Sequence, residues 1–528
     1  MKQLVVLVLI TISCLGTLRS QNDIHGDIEK LEQFLSSLDN DYVDQIETRS
    51  IVEKGIRKML EELDPHSVYL DPEAYARSNE PLKGKYKGIG VRFLMIDDTM
   101  TILDVVEGSG AELAGIKCGD QIIKVNEDTV SGRKKSASSI SSSIKDQDDK
   151  SIDVTLIRKH PKRLIDSFLI MKSELPINSV AAYFMIEPRV GYIKLERFSS
   201  NSLNEFRTAL DALKKERAKT LVIDLRGNGG GYLNVAIKIV DEFLEDRRMI
   251  VYTEGEHQNK REVFATSGGR YTNGELYVLI DANSASASEI FAGAIQDWDR
   301  GLIIGRRSYG KGLVQRTVEF KDGSAMRLTI SRYYTPTGRS IQRSYENGSE
   351  AYRLALKSRK QTGELFSADS IDVIDSLIFY TPNHRKVYGG GGIQPDVFVP
   401  IDTSLNNAVI SQIRRRALFQ GFALEMKNKK EEMLRAQFSD VAAFLDGYAL
   451  LDEDIFWLKE YLEAKEIEAT LEELNEHREA IEEQMSIALS RYVFGHQAFY
   501  QALAYYDKDV AAARKEIEQG TFRQLGLK

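Results

Sequence analysis

The sequence predicts a multidomain α/β protein: a layered α/β core with a smaller β-rich domain ahead of it and helical regions at both ends. Three observations carry this. Strand and helix patterns alternate between residues 177 and 340, as in layered α/β folds. A separate stretch, 83–172, reads as five strands and two helices. From about residue 404 to 528 the pattern is helical and heavily charged. A chain of 528 residues is also too long for one ordinary domain. It is 42% hydrophobic and 28% charged, enough to bury a real core. The net charge of −8 argues against nucleic-acid binding driven by a basic surface.

The first element, residues 1–20, is "MKQLVVLVLITISCLGTLRS". One lysine, an apolar run and then small and polar residues read as an export signal, too short to span a membrane comfortably. A membrane anchor or buried helix is the alternative. Cys14 lies in "TISC", which loosely resembles a lipobox, with Thr11 where leucine is preferred. The expectation is an exported product, in the periplasm or cell envelope, either soluble or tethered at its N-terminus. Cys14 and Cys118 are the only cysteines, so neither a disulfide framework nor a zinc cluster can be built.

Residues 21–82 read as a small helical region, with Ile28, Leu31, Leu35 and Leu38 at helical spacing. It ends in "LDPHSVYLDPEAY", where two Asp-Pro pairs mark turns. Within 83–172, "YKGIGVRFLM", "TMTILDVVE" and "SIDVTLIRK" read as strands. The serine-rich "KKSASSISSSIK" reads as linker or helix, and Ala137, Ile140 and Ile144 on one helical face favour the helix. Residues 173–402 hold the core, including the strands "VGYIKLERF", "KTLVIDLRG" and "ELYVLIDAN". Residues 343–390 form a polar, irregular insert. Residues 403–528 are helical, with Leu450, Leu451, Ile455, Leu458 and Leu462 on one face.

Chemistry concentrates where strands end. "DANSASASEIFAGAIQDW" places Ser284, Ser286 and Ser288 between a buried strand and a helix. Ser286 and Glu289 form a capping-box pattern, which is the bland reading. Active groups in sheet proteins, however, lie at the carboxyl ends of strands, and a helix N-terminus favours developing negative charge. Gly-x-Ser-x-Gly is absent, which disfavours an α/β-hydrolase. None of the seven histidines sits in a triad-like context, and His66 in the double Asp-Pro turn reads as structural. Lysine is the alternative base for serine enzymes. Lys311 in "GRRSYGKGLVQ" is the candidate. Lowering a lysine from ~10.4 to ~7 disfavours its charged form by ~4.6 kcal/mol, which burial can supply. Gln315, four residues on, suits one strand face and can orient the amine without stabilising its charge.

Gly305 to Lys311 also spells G-x-x-x-x-G-K, but Gly312 follows where a phosphate loop needs Ser or Thr, and a strand follows where it needs a helix. "DLRGNGGG", residues 224–231, ends a strand in glycines whose Gly229 and Gly230 amides suit an oxyanion hole.

Together, "SASASEI…QD", "YGKGLVQ", "DLRGNGGG", "YYTPTGRSIQ" and "LDPHSVYLDP" resemble the motifs of the C-terminal processing peptidases, or tail-specific proteases, in that family's order over residues 24–402. The resemblance implies a serine–lysine dyad: Ser286 as nucleophile, Lys311 as base and Gln315 as its partner. It implies oxyanion donors in the glycine turn and at the Ala287 amide. Gly229 stands where the family often has proline. Asp297 matches an acidic position tied to activity in some members, with a structural role at the helix end as the alternative. Residues 83–172 resemble the family's PDZ module, and Gly88, Ile89, Gly90 and Val91 match its peptide-carboxylate loop and strand.

The expected function is an exported serine endopeptidase that binds protein or peptide C-terminal tails and hydrolyses peptide bonds through an acyl-enzyme. No cofactor or metal and no nucleic-acid partner is implied. For the helical tail the expectations are that it caps the core, forms a homodimer or binds an adaptor. The rival readings are a catalytically silent PDZ scaffold or chaperone-like binding protein, and a nucleotide-binding protein using 305–311.

Overall fold

The computed structural model describes residues 24–132, 136–145, 150–160, 163–403 and 407–528. The export signal expected at residues 1–20, with Cys14, lies outside the described residues.

The core is a six-stranded sheet whose strands follow chain order: β1 (Val180–Glu187), β2 (Val190–Leu195), β3 (Thr220–Asp224), β4 (Glu275–Ile280), β5 (Leu302–Gly305) and β6 (Val397–Phe398). β1 runs antiparallel to β2, and every later neighbour is parallel. The run Thr-Leu-Val-Ile-Asp of β3 is buried throughout, as expected of a parallel strand covered on both faces.

One cover consists of α1 (Ser202–Lys215), α2 (Leu233–Val240) and α3 (Ala287–Asp297). Their apolar stripes meet Ile223, Val278, Ile280 and Ile303 in one core cluster. The opposite cover comes from the far end of the chain. Ala504 from the helix His496–Tyr506, Val510 and Ala513 from α4 (Lys508–Gln519), and Phe522 pack against Val222, Tyr277, Leu279 and Ile304. Burial of Val510 and Phe522 contributes roughly 1.5–3 kcal/mol each and of the two alanines roughly 0.8 each, so the last helices are part of the core. This three-layer arrangement puts the turns after β3, β4 and β5 side by side at the carboxyl edge of the sheet.

A second sheet stands beside this edge. Leu313–Glu319 pairs with Ala325–Tyr334, which also pairs with Met249–Gly255 and with the short strand Val68–Leu70. The "SVYL" of the double Asp-Pro segment is thereby fixed next to residues 325–327.

The β-rich domain closes around Ile89, Met100, Ile102, Ile122, Val154 and Leu156. The serine-rich segment is a helix, Ala137–Lys145, because Ile140 and Ile144 reach that core. Lys85–Gly88 pairs with Ser173–Pro176 and ties the two ends of the domain together.

Residues 408–494 form a helical cluster of their own, into which Leu450, Ile455, Leu458 and Leu462 are buried. Leu451 departs from the expected face: it sits at the helix start and is exposed. The insert 343–390 is more regular than its composition suggests, with a helix at Gly348–Gln361 and a small hairpin pairing 378–380 with 386–388.

Candidate active site

The three serines after β4 have different surroundings. Ser284 is fully buried; its Oγ donates to Leu225 O at 2.9 Å and accepts from Asp281 N at 3.0 Å. Ser288 is fully buried and donates to Asn228 O at 2.8 Å. Both hydroxyls stitch the serine turn to the glycine turn. Ser286 lies between them, half-buried, and its side chain makes no capping hydrogen bond. Its backbone sits at φ 56, ψ −110, a region that costs a non-glycine residue on the order of 1–3 kcal/mol. The sequence confines the strain to the one serine whose hydroxyl is left uncommitted.

Glu289 holds this turn in place. It is fully buried and accepts four hydrogen bonds: Ser286 N at 2.8 Å and Lys311 N at 2.9 Å on Oε2, Ser308 Oγ at 2.6 Å and Gly310 N at 2.7 Å on Oε1. Burial pushes its carboxyl above the usual range, against these donors, which favour the charged form. The capping-box carboxylate thus also organises the loop after β5. Because the Gly310 and Lys311 amides point at a carboxylate, the G-x-x-x-x-G-K segment is not shaped as a phosphate cradle.

Lys311 Nζ donates to Gln315 Oε1 at 2.8 Å, and Gln315 Nε2 donates to the carbonyl of His66. Burial lowers the Lys311 pKa; the nearby Arg327 lowers it further, while Asp64 and Glu289 oppose both. The pairing does not arise from simple strand alternation. Lys311 precedes the strand that starts at Leu313, and the register shifts between Val314 and Gln315. His66 contributes its backbone; its ring contacts Tyr352 Oη at 3.0 Å, and burial and Lys311 lower its pKa to about 4.

Ser286, Ala287, Lys311, Gln315, Gly229 and Gly230 line one cleft of about 510 Å³. Tyr232, Leu233, Ile290 and Leu313 give it an apolar wall. At Gly230, φ is +103 and a Cβ would lie 2.9 Å from both Ala285 O and Ser286 Cβ, so only glycine lets the two turns approach. The Gly230 N–H departs from its expected role: it donates to Asn228 Oδ1 at 2.9 Å and is turned into the loop. The Gly229 N–H and the Ala287 N–H, first in α3, have no protein acceptor among the described residues.

Comparison with known proteins meets this geometry. The profile of peptidase family S41 matches residues 189–347, a PDZ domain profile matches 88–166, and the profile "Activating protease CtpB N-terminal domain" matches 14–74. The carboxy-terminal processing protease CtpB of Bacillus subtilis (strain 168) is 31% identical over 337 residues, covering 62% of this chain and 68% of its own. The chain belongs to the carboxy-terminal processing protease family. A carboxy-terminal-processing protease of Bartonella bacilliformis is 30% identical over 331 residues, covering 62% and 75% of the two chains. Among solved structures, a photosystem II D1 C-terminal processing protease is 25% identical with a TM-score of 0.36, covering 70% of this chain and 86% of its own.

As a family S41 peptidase with a PDZ domain, the chain acts on protein or peptide substrates. Asp297 stands apart from the cleft lining. Its carboxylate meets the equally buried Arg339 Nη2 at 2.7 Å and accepts from the half-buried Thr337 N and Oγ1 at 3.0 and 2.7 Å. It fastens "TPTGRS" to the end of α3, which is the structural alternative.

Gly88 to Val91 also lie outside the cleft, in the PDZ domain. The Ile89 and Gly90 carbonyls accept from Ala111 N and Val106 N, at 2.9 and 2.8 Å. Gly90 has φ +85, and a Cβ there would overlap Ser109. Val91 opens the terminal strand of the PDZ sheet, Val91–Ile96. A terminal strand has one unpaired edge, to which an extended peptide can add.

Sequence reasoning missed four contributors to the site. Glu289 was visible only as the acid of a capping box. Tyr333, fully buried, donates to Ser286 O at 3.1 Å and Lys311 O at 2.7 Å, but nothing in "RYYTPTG" singles it out. The His66 carbonyl carries no side-chain signal. The insert buttresses the lysine loop through Arg359, which donates to Ser308 O at 2.8 Å and Gly391 O at 3.2 Å.

Proposed function

We propose that this peptidase is a serine-type endopeptidase in which Ser286 and Lys311 form the dyad and a polypeptide's C-terminal tail is held by the PDZ strand edge. Lys311, whose pKa is lowered by burial and by Arg327, takes the Ser286 proton as Oγ attacks the scissile carbonyl. Gln315 fixes the amine through its amide oxygen. The Gly229 and Ala287 N–H groups receive the oxyanion. Collapse breaks the C–N bond, and Lys311 returns its proton to the leaving amine. Water then attacks the ester, again with Lys311 as base, and releases the acyl product. The apolar cleft wall favours apolar side chains beside the cut bond. The leader-like residues 1–20 support action outside the cytoplasm, in the periplasm or cell envelope.

The observation that carries this reading is the contrast among the serines: two fully buried hydroxyls are committed to backbone carbonyls, and Ser286 alone faces the cleft beside Lys311. The test is cleavage of an unfolded protein with an apolar tail. Ser286→Ala and Lys311→Ala should abolish cleavage while binding of a tail peptide persists. Full cleavage by either variant would reject the dyad; an inert wild type that still binds the peptide would favour a silent PDZ scaffold.

A further inference from the structure

The turns that carry the oxyanion donors and the lysine begin with arginines that reach the same carboxylate from the chain's far end. Arg226 is the second residue after β3 and Arg306 the first after β5. Asp509, in the first turn of α4, is almost fully buried. It accepts both terminal nitrogens of Arg306, Nη1 at 2.9 Å and Nη2 at 2.7 Å, and Arg226 Nη1 at 2.7 Å. Asp507, the N-cap of α4, accepts from Arg226 Nη1 at 2.7 and 2.8 Å and from Val510 N at 2.9 Å. On its other side Arg226 is forked to Asp224, the last residue of β3, through Nε at 3.1 Å and Nη2 at 2.7 Å. Lys194 Nζ and Tyr192 Oη complete the shell of Asp224 at 3.1 and 2.7 Å.

We infer that Asp509 is a positioning residue for the reaction: from outside the peptidase-profile segment, it clamps the bases of the oxyanion turn and the lysine loop at a fixed separation across the serine strand. The inference rests on the dyad reading. Its physical basis is the stiffness of the forked pairs. A guanidinium held bidentately on a buried carboxylate has one geometry: Asp509 imposes it on Arg306 and ties in, through one further bond, Arg226, whose own fork is on Asp224. β3 and β5 flank β4, so the clamp bridges the two neighbours of the strand that delivers Ser286. Asp224 sets the direction of Arg226, and Val399 O, at 3.0 Å from Arg306 Nη1, sets that of Arg306. Displacing either turn by about 1 Å is enough to cost roughly a hundredfold in rate, because donor, nucleophile and base must coincide. The helical tail therefore completes the catalytic geometry as well as covering the sheet.

The experiment compares the full chain with Asp509→Asn, Asp509→Glu and Arg306→Lys. The concentration of competent sites is counted by stoichiometric labelling of Ser286 with a fluorophosphonate. Cleavage of an unfolded, apolar-tailed protein is then expressed as kcat per labelled site, with KM and tail-peptide affinity measured alongside. Asp509→Asn should lower kcat per site about ten- to a hundredfold, with KM and peptide affinity within about threefold of wild type. Arg306→Lys, which keeps the charge and loses the fork, should do the same. Asp509→Glu, which keeps the carboxylate, should lie between wild type and Asp509→Asn; unchanged kcat per site in Asp509→Asn or Arg306→Lys, with loss only in the number of labelled sites, would assign Asp509 to stability alone and overturn the inference. If cleavage survives Ser286→Ala, the dyad reading falls by itself, independently of the Asp509 result.

Discussion

Ser286 and Lys311 are joined through one oxygen atom: the backbone N–H of each donates to Oε2 of Glu289, at 2.8 and 2.9 Å. Their carbonyls are joined as well, since both accept from Tyr333 Oη. Ser286 and Lys311 come from different strand ends, yet their main chains are fixed to the same two buried side chains. The geometry of the proposed dyad is thus set through the backbone, by Glu289 and Tyr333.

Glu289→Gln should be costly. An amide presents one oxygen where four donors converge, so at least one buried N–H or O–H loses its acceptor. A destabilisation of about 3 kcal/mol is expected, read as a lower urea midpoint. kcat should fall more than KM rises. Tyr333→Phe removes the shared hydroxyl alone and should destabilise by about 1 kcal/mol.

The strained backbone at Ser286 gives a prediction of opposite signs. Ser286→Gly should abolish cleavage and raise stability by about 1 kcal/mol, because glycine adopts φ 56 without the Cβ clash. Ser284→Ala and Ser288→Ala should do the reverse: each removes one of the two hydrogen bonds to a buried carbonyl, and Ser284→Ala also leaves the Asp281 N–H without its acceptor, costing about 1–2 kcal/mol, while folded molecules keep cleaving. Thermal unfolding beside activity per folded molecule separates the two classes.

The acid limb of the activity profile should report Lys311. Its folded pKa is lowered by burial and by Arg327, so cleavage should be lost as pH falls through a value below that of an ordinary lysine. Arg327→Gln removes a positive neighbour; the Lys311 pKa rises, the limb moves to higher pH, and the rate at pH 7 drops. For stability the sign is the same. The unfolded chain binds this proton more tightly, so Lys311 costs the fold least at alkaline pH and most below its folded pKa.

His66 supplies a second pH test. Its folded pKa of about 4 lies below the ordinary ~6.5, so the unfolded chain takes up the proton first. Stability should fall as pH drops from about 6.5 toward 4, by up to about 3 kcal/mol, at 1.36 kcal/mol per pKa unit. His66→Gln keeps the backbone carbonyl that holds Gln315 and should flatten that part of the profile in urea unfolding.

Much of this site was legible along the chain because strand ends, glycine runs and serine spacing are local. The serine turn and Lys311 could be singled out because each sits where a strand pattern stops or starts, and Gln315 by its spacing from Lys311; the choice of Ser286 among the three serines came from the family resemblance. What was not legible is contact across the sheet. Glu289 satisfies a helix-capping pattern three residues from Ser286, and nothing nearby tells that it also receives Ser308, Gly310 and Lys311. A glycine run announces free amides without their direction, and Asn228 turns the Gly230 N–H inward. The bulge at Val314–Gln315 replaces the alternation that the spacing suggested. Polar composition hid the helix at 348–361, whose buried Arg359 donates to carbonyls of the lysine loop and pairs with Glu364. The tail's amphipathic stripe was readable, but not that its last helices cover the sheet and seat Asp507 and Asp509 on Arg226 and Arg306.

The most direct measurement is the site of covalent labelling. Wild-type protein is treated with a fluorophosphonate, digested and mapped by mass spectrometry, with Lys311→Ala in parallel. The account predicts one adduct, on Ser286, forming faster as pH rises through the Lys311 pKa and lost in Lys311→Ala. An adduct on Ser284 or Ser288, or undiminished labelling of Ser286 in Lys311→Ala, would contradict it.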